Sequence, residues 1–197
     1  DLHSFPTRRS SDLHIDFHLI RRQAKRNRQR PLVIMTPKSL LRLPQATSTL
    51  QELADGRWYP VLDDPAAKGR EKDIQRIVLS TGKVFYDLLA GAEKTPSSEG
   101  GKRPIALVRL EQLYSFPWGD MRAMLARYAN LRELFWVQEE PRNMGAWTFL
   151  EPKLRELLPN GATLTYVGRP ERASPAEGYP AMHAAEQARI VGEALKV

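Results

Sequence analysis

Two short stretches carry residues whose types and spacing invite chemistry. In MTPKSLLR (35 to 42), Lys38, Ser39 and Arg42 follow Thr36 and Pro37. Thr is a good helix cap and Pro suits the first helical position, so the pattern predicts a strand ending at Thr36 and a helix starting behind it. Lys38, Ser39 and Arg42 would then stand around free backbone N–H groups, an arrangement that binds a phosphate or carboxylate. The alternative is that Lys38 and Arg42 pair with acids of a neighbouring domain. In FWVQEEPRNMGAW (135 to 147), Gln138, Glu139 and Glu140 end an apolar run that Pro141 stops, and a helical pattern restarts after Gly145. Polar groups at the carboxyl end of a strand lie where open α/β sheets place ligands and contacts. Neighbours along a strand point to opposite faces, so Glu139 and Glu140 make a poor acid–base pair. With Asn143 and Trp147 they are read as loop anchors or an interface.

Other chemistry finds no support. The four histidines, His3, His14, His18 and His183, have no second ligand at metal-binding spacing on a strand end. His183, near the start of the last helical pattern, reads as a surface or boundary residue. STGKV (80 to 84) has a Gly-Lys pair but lacks the upstream glycine of a phosphate-binding loop, and reads as a strand followed by a Ser/Thr-capped helix. The absence of cysteine excludes disulfides, thiolate metal sites and a Cys nucleophile. No metal site is expected in this chain.

The elements that must position these residues alternate. Strand-length apolar runs occur at 31 to 36, 76 to 80, 105 to 110, 133 to 138 and 163 to 168, the first four rich in consecutive apolar residues, as suits strands buried on both faces. Helical patterns lie between and after them: Leu50 and Leu53; Val84, Phe85, Leu88 and Leu89; Met121, Met124, Leu125 and Tyr128; Trp147, Leu150, Leu154, Leu157 and Leu158; and Ala184 to Leu195. The expected fold is α/β, a three-layer α/β/α sandwich with a mostly parallel five-stranded sheet. VLDDPAAKGREKD (61 to 73) and AEKTPSSEGGKRP (92 to 104) read as surface loops of freely variable length.

A chain of 197 residues, 42% hydrophobic, suits one domain or a domain with an appendage. The longest apolar runs are too short to span a bilayer and the start lacks the apolar centre of a signal peptide, so the expectation is a soluble intracellular protein. The net charge of +7 is local: residues 14 to 30 carry six Lys/Arg against Asp16, and residues 31 to 197 hold only +2. The run RRQAKRNRQR reads as a solvated helix face or a contact to an acidic neighbouring domain in preference to a nucleic-acid arm. The first thirteen residues, DLHSFPTRRSSDL, resemble a translated sequencing-library adapter and are expected to be non-native. Residues 14 to 30 are then the end of a preceding domain or a linker helix, and 31 to 197 the α/β domain.

RPLVIMTPKSLLR, TGKVFYDLL, ALVRLEQLYSFP, WVQEEPRNMGAW, YVGRPERASPAEG and HAAEQ, in this order, resemble the carboxy-terminal domain of the thiamine-diphosphate-dependent decarboxylating component of the 2-oxoglutarate dehydrogenase complex. The resemblance begins near Phe17, where FHLIRRQ is similar to the stretch leading into that domain; only the loop at 92 to 104 looks longer than usual. It implies a transketolase C-terminal-like fold that packs on an upstream domain and helps build a homodimer. It implies that thiamine diphosphate and magnesium are bound by upstream domains and that the succinyl group passes to the succinyltransferase component. Gly119, Asp120 and Asn143 have the letters of a magnesium-diphosphate motif, but Asp120 falls within a helical pattern. An effector, acetyl-CoA or a nucleotide, is implied, with Lys38, Ser39, Arg42 and Gln138 the positions expected to meet it. The implied setting is the bacterial cytoplasm, with no nucleic-acid or membrane partner. A stand-alone α/β module binding an acyl-CoA or nucleotide is the alternative, and Trp118, Trp136 and Trp147 are expected among surfaces that the parent buries.

Overall fold

The computed structural model describes residues 7–8, 13–27, 31–34, 37–94 and 104–196. Its first unit, Asp1–Tyr59, holds strand β1 (Thr7–Arg8), helix α1 (Leu13–Ala24), strand β2 (Thr47–Ser48) antiparallel to β1, and helix α2 (Leu50–Asp55). Helix α2 starts where its sequence says: the Thr49 hydroxyl accepts the Glu52 N–H and the Glu52 carboxylate accepts the Thr49 N–H at 2.8 Å, a reciprocal capping box. His18, 2% exposed, sits 3.3 Å from the Glu52 carbonyl and ties α1 to α2.

Two expectations fail in this unit. Residues 31 to 34 form no strand, and Leu32 and Val33 are exposed. Periodicity alone cannot separate a strand from an exposed apolar run, since a strand also needs an edge to pair with. Thr36 lies outside the described residues, and the expected helix is instead a five-residue 3-10 turn, Lys38–Arg42, with Pro37 at its N-cap and no side-chain cap. The second compact unit begins at Pro60.

In the second unit, Pro60–Val197, the chain runs β3 (Val61–Leu62), β4 (Arg76–Ser80), α3 (Val84–Lys94), β5 (Ile105–Leu110), α4 (Trp118–Leu125), β6 (Glu133–Pro141), α5 (Trp147–Leu157), β7 (Thr163–Arg169) and α6 (Pro180–Leu195). The sheet order is β3-β5-β4-β6-β7, with β3 antiparallel and the rest parallel. The fifth strand is thus Val61–Leu62, in a stretch expected to be loop. The Pro60 carbonyl takes the Glu111 N–H at 2.8 Å, and Asp64 accepts the Leu107 N–H at 2.9 Å, so this segment closes the β5 edge. Asp63 holds Arg127 at 2.6 Å and accepts the Tyr128 hydroxyl. Burial first, then that bond and the charge of Asp63, keep the Tyr128 phenol protonated well above the ordinary range. A second expected loop begins inside α3, which runs to Lys94; residues 95 to 103 lie outside the described residues.

The pleat sorts the strand residues onto two faces. Ile77, Leu79, Ala106, Val108, Leu134 and Trp136 pack on α4 and α5, while Val78, Ile105, Leu107, Phe135, Val137 and Val167 pack on α3 and α6. The result is the expected three-layer sandwich. Trp136 and Trp147, 0% and 3% exposed, belong to the core of this chain and not to a surface awaiting a partner.

Candidate functional site

The strand order places a topological switch between β4 and β6. From β4 the chain leaves through α3 to β5 on one side, and from β6 it leaves through α5 to β7 on the other. Open α/β sheets bind ligands at the carboxyl ends of such a strand pair. Here those ends are Ser80, Thr81, Gly82 and Lys83 after β4, and Gln138, Glu139 and Glu140 at the end of β6.

Alternation divides the β6 end between the two faces. Glu139 turns toward α3, where Lys83 Nζ meets it at 3.0 Å and Asp87 at 2.9 Å. Burial pulls the Lys83 ammonium down, but the hydrogen bonds and charges of Asp87 and Glu139 outweigh it, and the net shift is upward. Gln187 of α6 donates to Asp87 at 2.8 Å and extends the bridge to a third element. This side of the switch is closed. Gly82, at φ +70°, makes the turn from β4 toward α3, and Ser80 ends β4 with a buried hydroxyl that has no hydrogen-bond partner, so it is not a helix cap.

Gln138 turns to the other face. Its Oε1 accepts the Trp136 indole N–H at 2.9 Å and the Trp147 backbone N–H at 3.1 Å, and its Nε2 donates to the Met144 carbonyl at 2.8 Å. Gly145, at φ +67°, is required here: a Cβ would lie 2.9 Å from the Gln138 amide. Beside this knot opens a cleft of about 470 Å³ walled by Leu113, Tyr114, Ala146 and Phe149, with Thr81, Gln138 and Glu140 at its polar side. Its walls suit an apolar or planar group. It offers no pair of free acid and base groups, because the Gln138 amide is engaged internally and Glu139 lies on the opposite face.

Asn143, another expected site residue, caps the loop after β7: its Nδ2 donates to the Arg172 carbonyl at 3.0 Å and its Oδ1 accepts the Arg172 N–H at 3.2 Å. Trp147 starts α5 and stacks obliquely on Tyr166 with ring centres 5.2 Å apart. Tyr166 donates toward the Glu140 and Arg169 carbonyls, and burial foremost pushes its phenol up to about 12. Lys38 and Ser39 are exposed in the first unit. They and Arg42 therefore belong to a different unit from Gln138. Sequence reasoning missed Arg109 and Glu111, a nearly buried pair 2.6 Å apart with Arg109 over the Phe85 ring at 4.7 Å. It also missed Arg169 and Glu177. The signal available was a charged residue inside an apolar strand, at Arg109 in IALVRL.

Among the described residues no three His, Asp or Glu side chains gather where they could hold a metal ion, and Asp120 lies in α4. The described residues therefore do not fit a magnesium-diphosphate site, and no step is derived through that group. Among the described residues no helix is long and apolar enough to cross a membrane.

The model of the family described as 2-oxoglutarate dehydrogenase C-terminal matches residues 47–195. The 2-oxoglutarate dehydrogenase E1 components of Bacillus pumilus (strain SAFR-032) and Geobacillus kaustophilus (strain HTA426) are each 48% identical to this chain over 182 residues, and that of Bacillus subtilis (strain 168) is 47% identical. These matches cover 91% of this chain and 19% of each relative, so the chain spans about a fifth of their length. A solved structure described as a split gene transketolase, inactive β4 tetramer, aligns with a TM-score of 0.50 at 17% identity, covering 72% of this chain and 43% of that one. That likeness is one of fold.

Proposed function

The chain belongs to the 2-oxoglutarate dehydrogenase C-terminal family, and from that premise we propose that it serves as the carboxy-terminal domain of the decarboxylating, succinyl-transferring component of the tricarboxylic acid cycle. The parent is an oxidoreductase acting on a 2-oxo acid with a lipoyl acceptor. Thiamine diphosphate and magnesium belong to its upstream domains, and this domain supplies structure to those domains and to a homodimer. The succinyltransferase component is the downstream partner, and the setting is the bacterial cytoplasm. The observation that carries this reading is the identity of 44 to 48% to curated relatives across 91% of the chain.

An effector site belongs to the same proposal. Lys38, Ser39 and Arg42 provide cations and a hydroxyl suited to the phosphates of acetyl-CoA or a nucleotide. Gln138 lies in the other unit, where its engaged amide walls the switch-point cleft, and the effector-site proposal rests on Lys38, Ser39 and Arg42.

The test has two arms. The purified chain is given 2-oxoglutarate, thiamine diphosphate and magnesium, and carbon dioxide release is measured; none is expected. Residues 14 to 197 are then exchanged for the matching region of the Bacillus subtilis relative, and the chimera is expected to decarboxylate 2-oxoglutarate. Turnover by the chain alone, or a folded chimera without activity, would overturn the proposal.

A further inference from the structure

The stretch YVGRPERASPAEG folds back over the end of its own strand, and nothing in the proposed function gives that loop a behaviour. Its hub is Arg169, the last residue of β7 and 3% exposed. One terminal nitrogen donates to the Pro175 carbonyl at 3.3 Å, and the other lies 3.0 Å from Nδ1 of His183 in the first turn of α6. Its Nε is 3.8 Å from the Glu177 carboxylate and has no hydrogen-bond partner. A guanidinium only donates, so Nδ1 of His183 must accept, and its lone pair is not available to a proton in this arrangement.

We propose that His183 is a pH-sensitive latch holding loop 170 to 179 against β7. A proton can bind Nδ1 only after the imidazole leaves Arg169. The charge around it favours that departure. Arg169 faces it from β7, and an added positive charge in the first turn of α6 opposes the helix dipole. Arg172 stands behind, bonded to Glu177, and Arg189 lies farther along α6, bonded to Glu186 at 3.0 Å. Glu186, held below the ordinary carboxylate range by the Arg189 hydrogen bond foremost, and Glu177 are the anions that a freed imidazolium can meet. Loss of the His183 contact leaves Arg169 buried with one partner for its terminal nitrogens, the Pro175 carbonyl, and that carbonyl is part of the loop itself. The two bonds of Asn143 to Arg172 still hold the start of the loop, and the remainder opens with the latch.

The sign comes from linkage. The open state binds a proton that the closed state refuses, so opening increases as pH falls through the range of a free imidazole. The open population is expected to rise about tenfold between pH 7.5 and pH 5.5.

Hydrogen exchange of the full 197-residue chain at those two pH values, corrected for intrinsic rates, reads this directly. Peptides from 170 to 179 are expected to open about tenfold more at pH 5.5, while β4 peptides do not change. His183→Gln retains a neutral acceptor for Arg169 and is expected to remove the pH response. A wild-type loop that ignores pH, or a His183→Gln loop that responds as fully, overturns the proposal. Should the variant fail to fold, the wild-type imidazole is titrated by NMR beside loop exchange: a shared midpoint supports the latch, and different midpoints overturn it.

Discussion

Gln138 shows how a residue at a ligand-binding position can be turned inward by its neighbours. Its place at the end of β6 was legible in the sequence, because Pro141 stops the strand and three polar residues precede it. The parity of Glu139 and Glu140 was legible too: Glu139 meets Lys83 on one face while Glu140 lies beside the cleft on the other. The direction of the Gln138 amide was not, since it depends on two indole-bearing residues, Trp136 two places back and Trp147 nine places on. Gln138→Leu keeps the volume but leaves the Trp136 indole N–H, the Trp147 N–H and the Met144 carbonyl without their partner. Buried donors so orphaned cost about 1 to 3 kcal/mol each, so a loss of at least about 2 kcal/mol is expected. Urea unfolding followed by tryptophan fluorescence measures it. Glu139→Gln, which weakens a partly exposed bridge, is expected to cost less than about 1 kcal/mol. Equal losses for the two would show that the Gln138 knot is not what joins β6 to α5.

At the scale of elements, β4, β5 and β6 were legible because each is a run of apolar residues buried on both faces, β7 because its residues alternate, and the helices because their apolar residues recur on one stripe. The edge strand was not. Val61–Leu62 is only two residues long, and what fixes it is the backbone of Pro60 and the side chain of Asp64 reaching β5, contacts that no periodicity records. The tight approach of α3 and α6 was equally silent. A Cβ on Gly91 would fall 2.4 Å from Val191 Cγ1 and 3.0 Å from Leu195 Cδ1, so this glycine sets the separation of the two helices. A branched side chain in a helix has little freedom at χ1, so Val191 cannot swing clear. Gly91→Ala gains helix propensity of about 1 kcal/mol, yet overpacking of about 1 to 3 kcal/mol is expected to exceed it. Adding Val191→Ala removes the clash, and the double variant is expected to be more stable than Gly91→Ala alone by thermal unfolding. If the double variant is less stable than either single change, the helices do not meet through Gly91.

For the whole molecule, the compact units divide at Pro60, whereas the expected domain begins at residue 31. The charge run that ends at residue 30 reports a solvated surface and says nothing of which residues share a core. The two hydrophobic clusters draw every member from Val61 onward, and all five strands of the main sheet lie in the same stretch. Among the described residues, none before Pro60 contributes a strand to that sheet. A chain cut to 60–197 is therefore expected to keep the far-UV and near-UV circular dichroism of its sheet and buried tryptophans, with β4 and β6 amides still protected from exchange. Retained far-UV signal with lost near-UV signal and dye binding would mark a molten state and would show that specific packing needs the first unit. A companion chain beginning at residue 31 separates the two boundaries. If it folds while 60–197 is molten, the boundary expected at residue 31 is the functional one; if both fold with the same protection, residues 31 to 59 are dispensable to the sheet and free to serve an effector site of their own.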